Sequence, residues 1–291
     1  MNLPLDVLVP TSLGEIFQPA LVAWLGGVAI VWAIAASRDS LGTSTVYHWF
    51  RGVLWGISRF CHRIEVRGNM KVPEKGGFLV VANHTCGADP PNIIALTPVK
   101  VSFIVAREVY DLAWLRPICE WLDCIPVNRS GNDTAAIRQA QRLLSEHRAI
   151  AIFPEGGIVM GGLGQGKPGA ALLALKANVP IIPIFFHGTP ESWKLWEPPF
   201  MKAKVTAFIG EPFQLNLDEP AADEGNPGAD ANAQLERRAL RSRLERATDQ
   251  IMQRIATLRD TAFAELGEPE WTRIRRDEIA RGMWKTEGGS H

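Results

Sequence analysis

The stretch Val80–Asp89, reading VVANHTCGAD, holds the residues of this chain best suited to moving a proton. An apolar run from Phe78 to Ala82 reads as a short buried strand and ends abruptly in Asn83-His84. Four residues separate His84 from Asp89. On an α-helix that spacing turns two side chains about 140° apart, so they would not share a face. On a tight strand-to-helix turn they can meet. Gly87 permits the bend, and Pro90-Pro91 disfavour helix until just beyond Asp89. The expected product is a carboxylate holding an imidazole, with the other ring nitrogen aimed at a substrate proton. That is the base and orienter of a triad, without a nucleophile of its own. The competing reading makes Asp89 a helix N-cap ahead of Pro-Pro-Asn-Ile-Ile and His84 an ordinary loop residue.

Three further signals lie downstream. Arg129 closes the run CIPVNR just past a strand-like segment, where a guanidinium suits a phosphate or a carboxylate through its planar fork of donors. Glu155, in Phe153-Pro-Glu-Gly-Gly157, sits in a Pro/Gly turn at the end of another strand; it either accepts hydrogen bonds from substrate hydroxyls or fixes neighbouring loops. The loop 156–169 is rich in glycine, and Gly161, Gly166 and Lys167 fit the opening of a phosphate loop. Pro168 stands where such a loop needs Ser or Thr for Mg²⁺, so the stretch reads as glycine-rich backbone near a phosphate, with Lys167 as a point charge, or as a merely flexible loop.

The elements that must position these residues alternate. Strand-like runs fall at 78–82, 101–105, 124–127, 149–153, 180–186 and 204–209, and helical patterns at about 91–97, 107–122, 132–147 and 168–178. Asn132 or Asp133 is the expected cap of the third helix. The alternation predicts an α/β domain built on a single mixed or largely parallel sheet flanked by helices. Sites in such sheets gather beyond the carboxyl ends of the strands, where His84, Arg129 and Glu155 all fall.

Ahead of this domain, Ala20–Ala36 is an uninterrupted apolar stretch, just short of the roughly 20 residues that a bilayer core requires. It is expected to be a short membrane-inserted or half-inserted helix, the alternative being a buried core helix. In the next helix Val46, Trp49, Phe50, Val53, Leu54, Ile57 and Phe60 form one apolar stripe, flanked by His48, Arg51, Arg59 and Arg63, as suits an anionic headgroup boundary. Behind the domain, a polar connection over 216–232 leads to a long charged helix, Leu235 to Glu265, and a short basic one, Pro269 to Met283. Leu235, Leu240, Leu244, Ile251, Ile255, Leu258 and Phe263 are expected to line one face and cover the domain. The expected organisation is therefore 1–64 as N-terminal membrane-associating helices, 65–212 as the α/β domain, and 213–291 as the connection and C-terminal helices.

The 291 residues carry 31 Lys+Arg against 31 Asp+Glu, so no global charge steers the chain to nucleic acid. Ten Trp against two Tyr favour a boundary between water and an apolar phase. Cys61, Cys86, Cys119 and Cys124 form no C-x-x-C pair and no zinc-site framework, so reduced thiols and no metal are expected.

Together these residues resemble the glycerolipid (PlsC-like) acyltransferase family, which includes the lysophosphatidic acid acyltransferases. NHTCGAD resembles its catalytic block, AREVYDL…CIPVNRS its second, FPEGG its third and VPIIPI (Val179–Ile184) its fourth, in order over about residues 65–210. The resemblance implies acyl transfer from a thioester, acyl-CoA or acyl-carrier protein, to the hydroxyl of a lysophospholipid, most readily 1-acylglycerol-3-phosphate. It implies His84 as general base, Asp89 as its orienter, backbone N–H groups near the turn as oxyanion donors, and Asn83, Arg129, Glu155, Gly156 and Lys167 as substrate ligands, with no bound cofactor. It further implies membrane lipids as partners and a place on the cytoplasmic face of the membrane, peripheral or anchored by the N-terminal helices. One departure bears on the acceptor: Gly157-Ile158 stand where the family's third block often has Thr-Arg, so a different lysophospholipid or hydroxylated lipid is an alternative acceptor. Other readings of the same residues are a thioesterase using Cys86 with His84, and a non-catalytic membrane lipid-binding protein.

Overall fold

A computed structural model describes residues 43–128, 134–192, 194–215 and 229–282. Ala20–Ala36, Arg129 and the expected caps Asn132 and Asp133 lie outside the described residues. Seven strands form one mixed sheet: β1 (Glu65–Arg67), β2 (Phe78–Ala82), β3 (Val101–Ala106), β4 (Ile125–Val127), β5 (Ala149–Ile152), β6 (Ile181–His187) and β7 (Thr206–Ile209), in the order β1-β7-β6-β2-β5-β3-β4. All neighbours are parallel except β6 and β7, which run antiparallel.

β2 is the axis of the sheet. Val81 pairs with Ile152 of β5 on one side and Pro183 of β6 on the other, so the carboxyl ends of these three parallel strands open on one edge. Every residue of β2 is buried. Because successive side chains point to opposite faces, Phe78, Val80 and Ala82 enter one core and Leu79 and Val81 the other, which is why an unbroken apolar run is needed here.

Helices α1 (Thr43–Cys61) and α2 (Asp89–Leu96) share the first core with β2. The short α3 (Arg107–Tyr110) and α4 (Arg116–Trp121) follow β3. The second core takes in α5 (Thr134–Ser145), α6 (Gly169–Ala177) and the long α7 (Ala229–Leu266), and α8 (Glu270–Ala280) ends the described chain. Among the described residues no helix is long and apolar enough to cross a membrane.

Several expectations are corrected. The single helix expected over 107–122 is two short ones parted by a turn, with Pro117 in the opening turn of the second, where its missing N–H is harmless. The stripe on α1 divides. Val46 and Leu54, with Tyr47, are buried and Phe50 and Ile57 pack beside them, whereas Trp49 is 75% exposed, Phe60 83% exposed, and Val53 is also in solvent. On α7, Ile251 and Ile255 are fully buried and Leu258 and Phe263 pack beside them, but Leu240 stands exposed. α1 is fastened to α2 by polar contacts: Ser58 Oγ donates to Asn92 Oδ1 at 2.7 Å, and the buried His62 bridges Asn92 Oδ1 and the Pro198 carbonyl.

Candidate active site

The turn after β2 brings His84 and Asp89 together. Nδ1 of His84 lies 2.9 Å from Oδ2 of Asp89. The same oxygen accepts the backbone N–H groups of Thr85 at 2.7 Å and Cys86 at 2.9 Å. Backbone N–H groups can only donate, so Oδ2 is an acceptor and His84 Nδ1 must carry the proton that it shares with Asp89. The lone pair of the imidazole therefore sits on Nε2. Asp89 makes no cap contact with α2; its fully buried carboxylate points back into the turn, and the helix opens on Pro90-Pro91, which bring no N–H to satisfy. Gly87 is required for close approach, since a Cβ there would meet the Leu195 carbonyl oxygen at 2.1 Å.

The ring of His84 is held on its face as well as its edge. It stacks on Phe153 with centroids 4.0 Å apart and planes 16° from parallel. Phe153 begins the turn that ends β5, in which the N–H of Gly156 donates to the Phe153 carbonyl and Gly156 takes a φ of +72°. Glu155 on this turn organises backbone. Oε2 accepts the N–H of His84 and Oε1 the N–H of Gly164, each at 2.8 Å. Burial pushes the Glu155 carboxyl up to about 7, against the lowering effect of those two N–H groups, with Asp89 nearby adding to the rise. The glycine-rich loop then folds back over the catalytic turn, and the Val159 N–H donates to the His84 carbonyl at 2.8 Å.

The remaining expected ligands are placed differently from one another. Asn83 is buried under the sheet edge, its amide oxygen accepting the Phe186 N–H at 2.8 Å and its NH₂ donating to the Phe186 carbonyl at 3.2 Å. It ties β2 to β6 and does not face the open side. Lys167 is exposed and returns over the turn: a Cβ on Gly156 would lie 2.9 Å from its Nζ. Its own N–H is anchored on the Pro154 carbonyl at 2.7 Å. The N–H groups of His84, Thr85 and Cys86 are all engaged by carboxylates, so the expected oxyanion donors near the turn are not these three. Gly166 and Gly161 pack against other helices, the first against Met252 and Thr248 of α7 and the second against Arg276 and Ile279 of α8.

Cys86 is buried with its Sγ 3.8 Å from Asp89 Oδ1, and burial together with that carboxylate pushes its thiol well above the ordinary range. A thiol so placed is a poor nucleophile. Among the described residues no group of three His, Cys, Asp or Glu stands together as a metal site.

Residues 63–187 match the family model described as Acyltransferase. The chain is similar to a probable 1-acyl-sn-glycerol-3-phosphate acyltransferase of Mycoplasma pneumoniae, 34% identical over 162 residues, covering 51% of this chain and 58% of the relative. It is 29% identical over 177 residues to 1-acyl-sn-glycerol-3-phosphate acyltransferase alpha of Homo sapiens, covering 59% and 58%. The chain thus spans somewhat over half the length of these relatives. The crystal structure of the 1-acyl-sn-glycerophosphate (LPA) acyltransferase PlsC from Thermotoga maritima aligns at a TM-score of 0.49 and 21% identity, over 75% of this chain and 88% of that one. His84, Asp89 and Glu155 all fall within the span matched by the Acyltransferase family model.

Proposed function

We propose that this chain transfers a fatty acyl group from a thioester, acyl-CoA or acyl-carrier protein, to the hydroxyl of a lysophospholipid, with 1-acylglycerol-3-phosphate as the first acceptor to try. The observation that carries the reading is the His84–Asp89 pair, with Nδ1 held and Nε2 left as the basic nitrogen. Nε2 takes the acceptor's hydroxyl proton as the oxygen attacks the thioester carbonyl. The tetrahedral intermediate collapses with cleavage of the C–S bond, and the imidazolium returns the proton to the departing sulfur, giving ester and free thiol. Asp89 stabilises the imidazolium between these events. No acyl-enzyme is formed.

Lys167 supplies a cation near the turn at Gly156, where the third block has no arginine, and Arg129 is assigned the same phosphate. Glu155 acts on the acceptor through the backbone of His84. The exposed Trp49, Val53 and Phe60, beside the exposed Arg59 and Arg63, support a peripheral seat on an anionic membrane surface. The testing experiment measures thiol release in detergent micelles from acyl-CoA, and then from acyl-carrier protein, with a panel of lysophospholipids, for wild type and His84→Ala. Acceptor-dependent release that vanishes in His84→Ala is the expected result. Release without any acceptor would mean hydrolysis, and silence with both donors would leave only lipid binding.

A further inference from the structure

Glu191 lies four residues beyond the family match, in the segment that follows β6. It is 2% exposed, and both carboxylate oxygens are engaged. Oε1 accepts the hydroxyl of Thr272 on α8 at 2.6 Å, and Oε2 accepts the N–H of Gly161 in the glycine-rich loop at 2.7 Å. A carboxylate so buried is costly to place, and its two partners belong to different parts of the chain. The loop amide is two residues from Val159, whose N–H holds the His84 carbonyl. On its other side the same segment meets the catalytic turn again: Thr189 Oγ1 lies 2.6 Å from Thr85 Oγ1, and the Ser192 N–H donates to the Thr85 carbonyl at 3.3 Å. Gly161 has a φ of +81°, which strains any side chain, and a Cβ there would sit tightly against the Arg276 nitrogen and Ile279 Cδ1 of α8 at 3.1 Å. The hinge between α7 and α8 is pinned as well, with His187 Nε2 2.8 Å from the Gly267 carbonyl.

We propose that Glu191 is a positioning residue for acyl transfer, one that ties the C-terminal helix α8, through Thr272, to the loop holding the backbone of His84. α8 is then part of the apparatus that aims the imidazole, although it lies outside the span matched by the family model. The inference rests on the acyl-transfer reading, and its test keeps the two apart.

Thr272→Val preserves shape and removes the hydroxyl; Thr272→Ser restores it. The expected result for Thr272→Val, measured well below its melting temperature, is a fall in kcat of about tenfold, the scale of one charge-assisted hydrogen bond, with the KM values for thioester and acceptor within about twofold. Amide exchange at Val159 and Gly161 should quicken by a similar factor, and Thr272→Ser should return both quantities toward wild type. Glu191→Gln, which keeps one acceptor oxygen, serves as the second variant should Thr272→Val fold poorly, with the same split expected. Faster exchange with unchanged kcat would reduce the contact to a structural strap and overturn the proposal, as would no change in either. A wild type inactive with every donor and acceptor would sink the acyl-transfer reading, while unchanged exchange alone would sink the tie.

Discussion

Replacing Asp89 by Asn separates the charge of this carboxylate from its geometry. Oδ2 receives the His84 ring N–H and two fixed backbone N–H groups, from Thr85 and Cys86. An NH₂ placed at that point would face two donors, so the Asn side chain must present its carbonyl oxygen there. The imidazole then keeps its tautomer, with the lone pair on Nε2. What is lost is the negative charge opposite the imidazolium. Unit charges ~4 Å apart attract by about 4 kcal/mol at an effective dielectric of ~20. With the proton partly transferred in the transition state, about 2–3 kcal/mol of this is felt, equivalent to a loss of ~10² in kcat. The corresponding change in a serine-protease triad costs ~10⁴ because the tautomer is wrong, and that mechanism is blocked here by the two backbone donors. Asp89→Ala, which frees the ring and orphans both N–H groups, should lose a further ~10-fold or more. The assay is the initial rate of thiol release at saturating donor and acceptor, with melting curves to verify folding. Equal losses in the Asn and Ala variants would refute the tautomer argument, and a near-normal Asn variant would refute the role of the charge.

Cys86→Ala should keep kcat within about threefold, where removing a true nucleophile takes away several orders of magnitude; a loss of that size would restore the thiol to the mechanism. Asn83→Ala removes the partners of both the N–H and the carbonyl of Phe186 in a buried site and should cost ~2–5 kcal/mol in denaturant unfolding with the acceptor KM nearly unchanged. A raised KM at full stability would instead make Asn83 a substrate ligand. Glu155, at about 7 in the folded protein against 4.5 ordinarily, binds a proton that the unfolded chain has released between those values. Its contribution to stability is therefore greatest below the unfolded value, falls as pH rises to about 7, and is level above. Glu155→Gln should flatten the dependence of melting temperature on pH across that window, and an unaltered slope would contradict the assignment.

The sheet was readable from sequence where its strands are buried on both faces, because only continuous apolar runs satisfy such positions, as in β2, β5 and β6. β1 escaped notice: Glu65-Val66-Arg67 is exposed throughout and carries no burial signal, and only pairing with β7 defines it. The His84–Asp89 contact was legible from spacing and turn chemistry. The orientation of the neighbouring polar groups was not. Asn83 was expected as a substrate ligand and Glu155 as either a substrate ligand or a fastener of loops; the partners they take are decided by where β6 and the loop to Gly164 arrive. Glu191 gave no signal at all, since TPESW resembles any polar turn and its partner Thr272 is far along the chain. The division of α1 into a buried and an exposed face followed from the width of its apolar surface, of which the domain covers only part.

The pairing of β1 with β7 also sets an order of events at the ribosome. Among the described strands β1 is the first to emerge, and its neighbour in the sheet is the last. At synthesis rates of about 5–20 residues per second, β1 has no partner for on the order of ten seconds. Its short, charged character makes that wait harmless, because a Glu-Val-Arg strand offers little to other exposed edges. The span matched by the family model ends at residue 187, before β7. A fragment cut at that point would leave β6 without its antiparallel neighbour and β1 without its partner, so the family-model span is smaller than the sheet it belongs to.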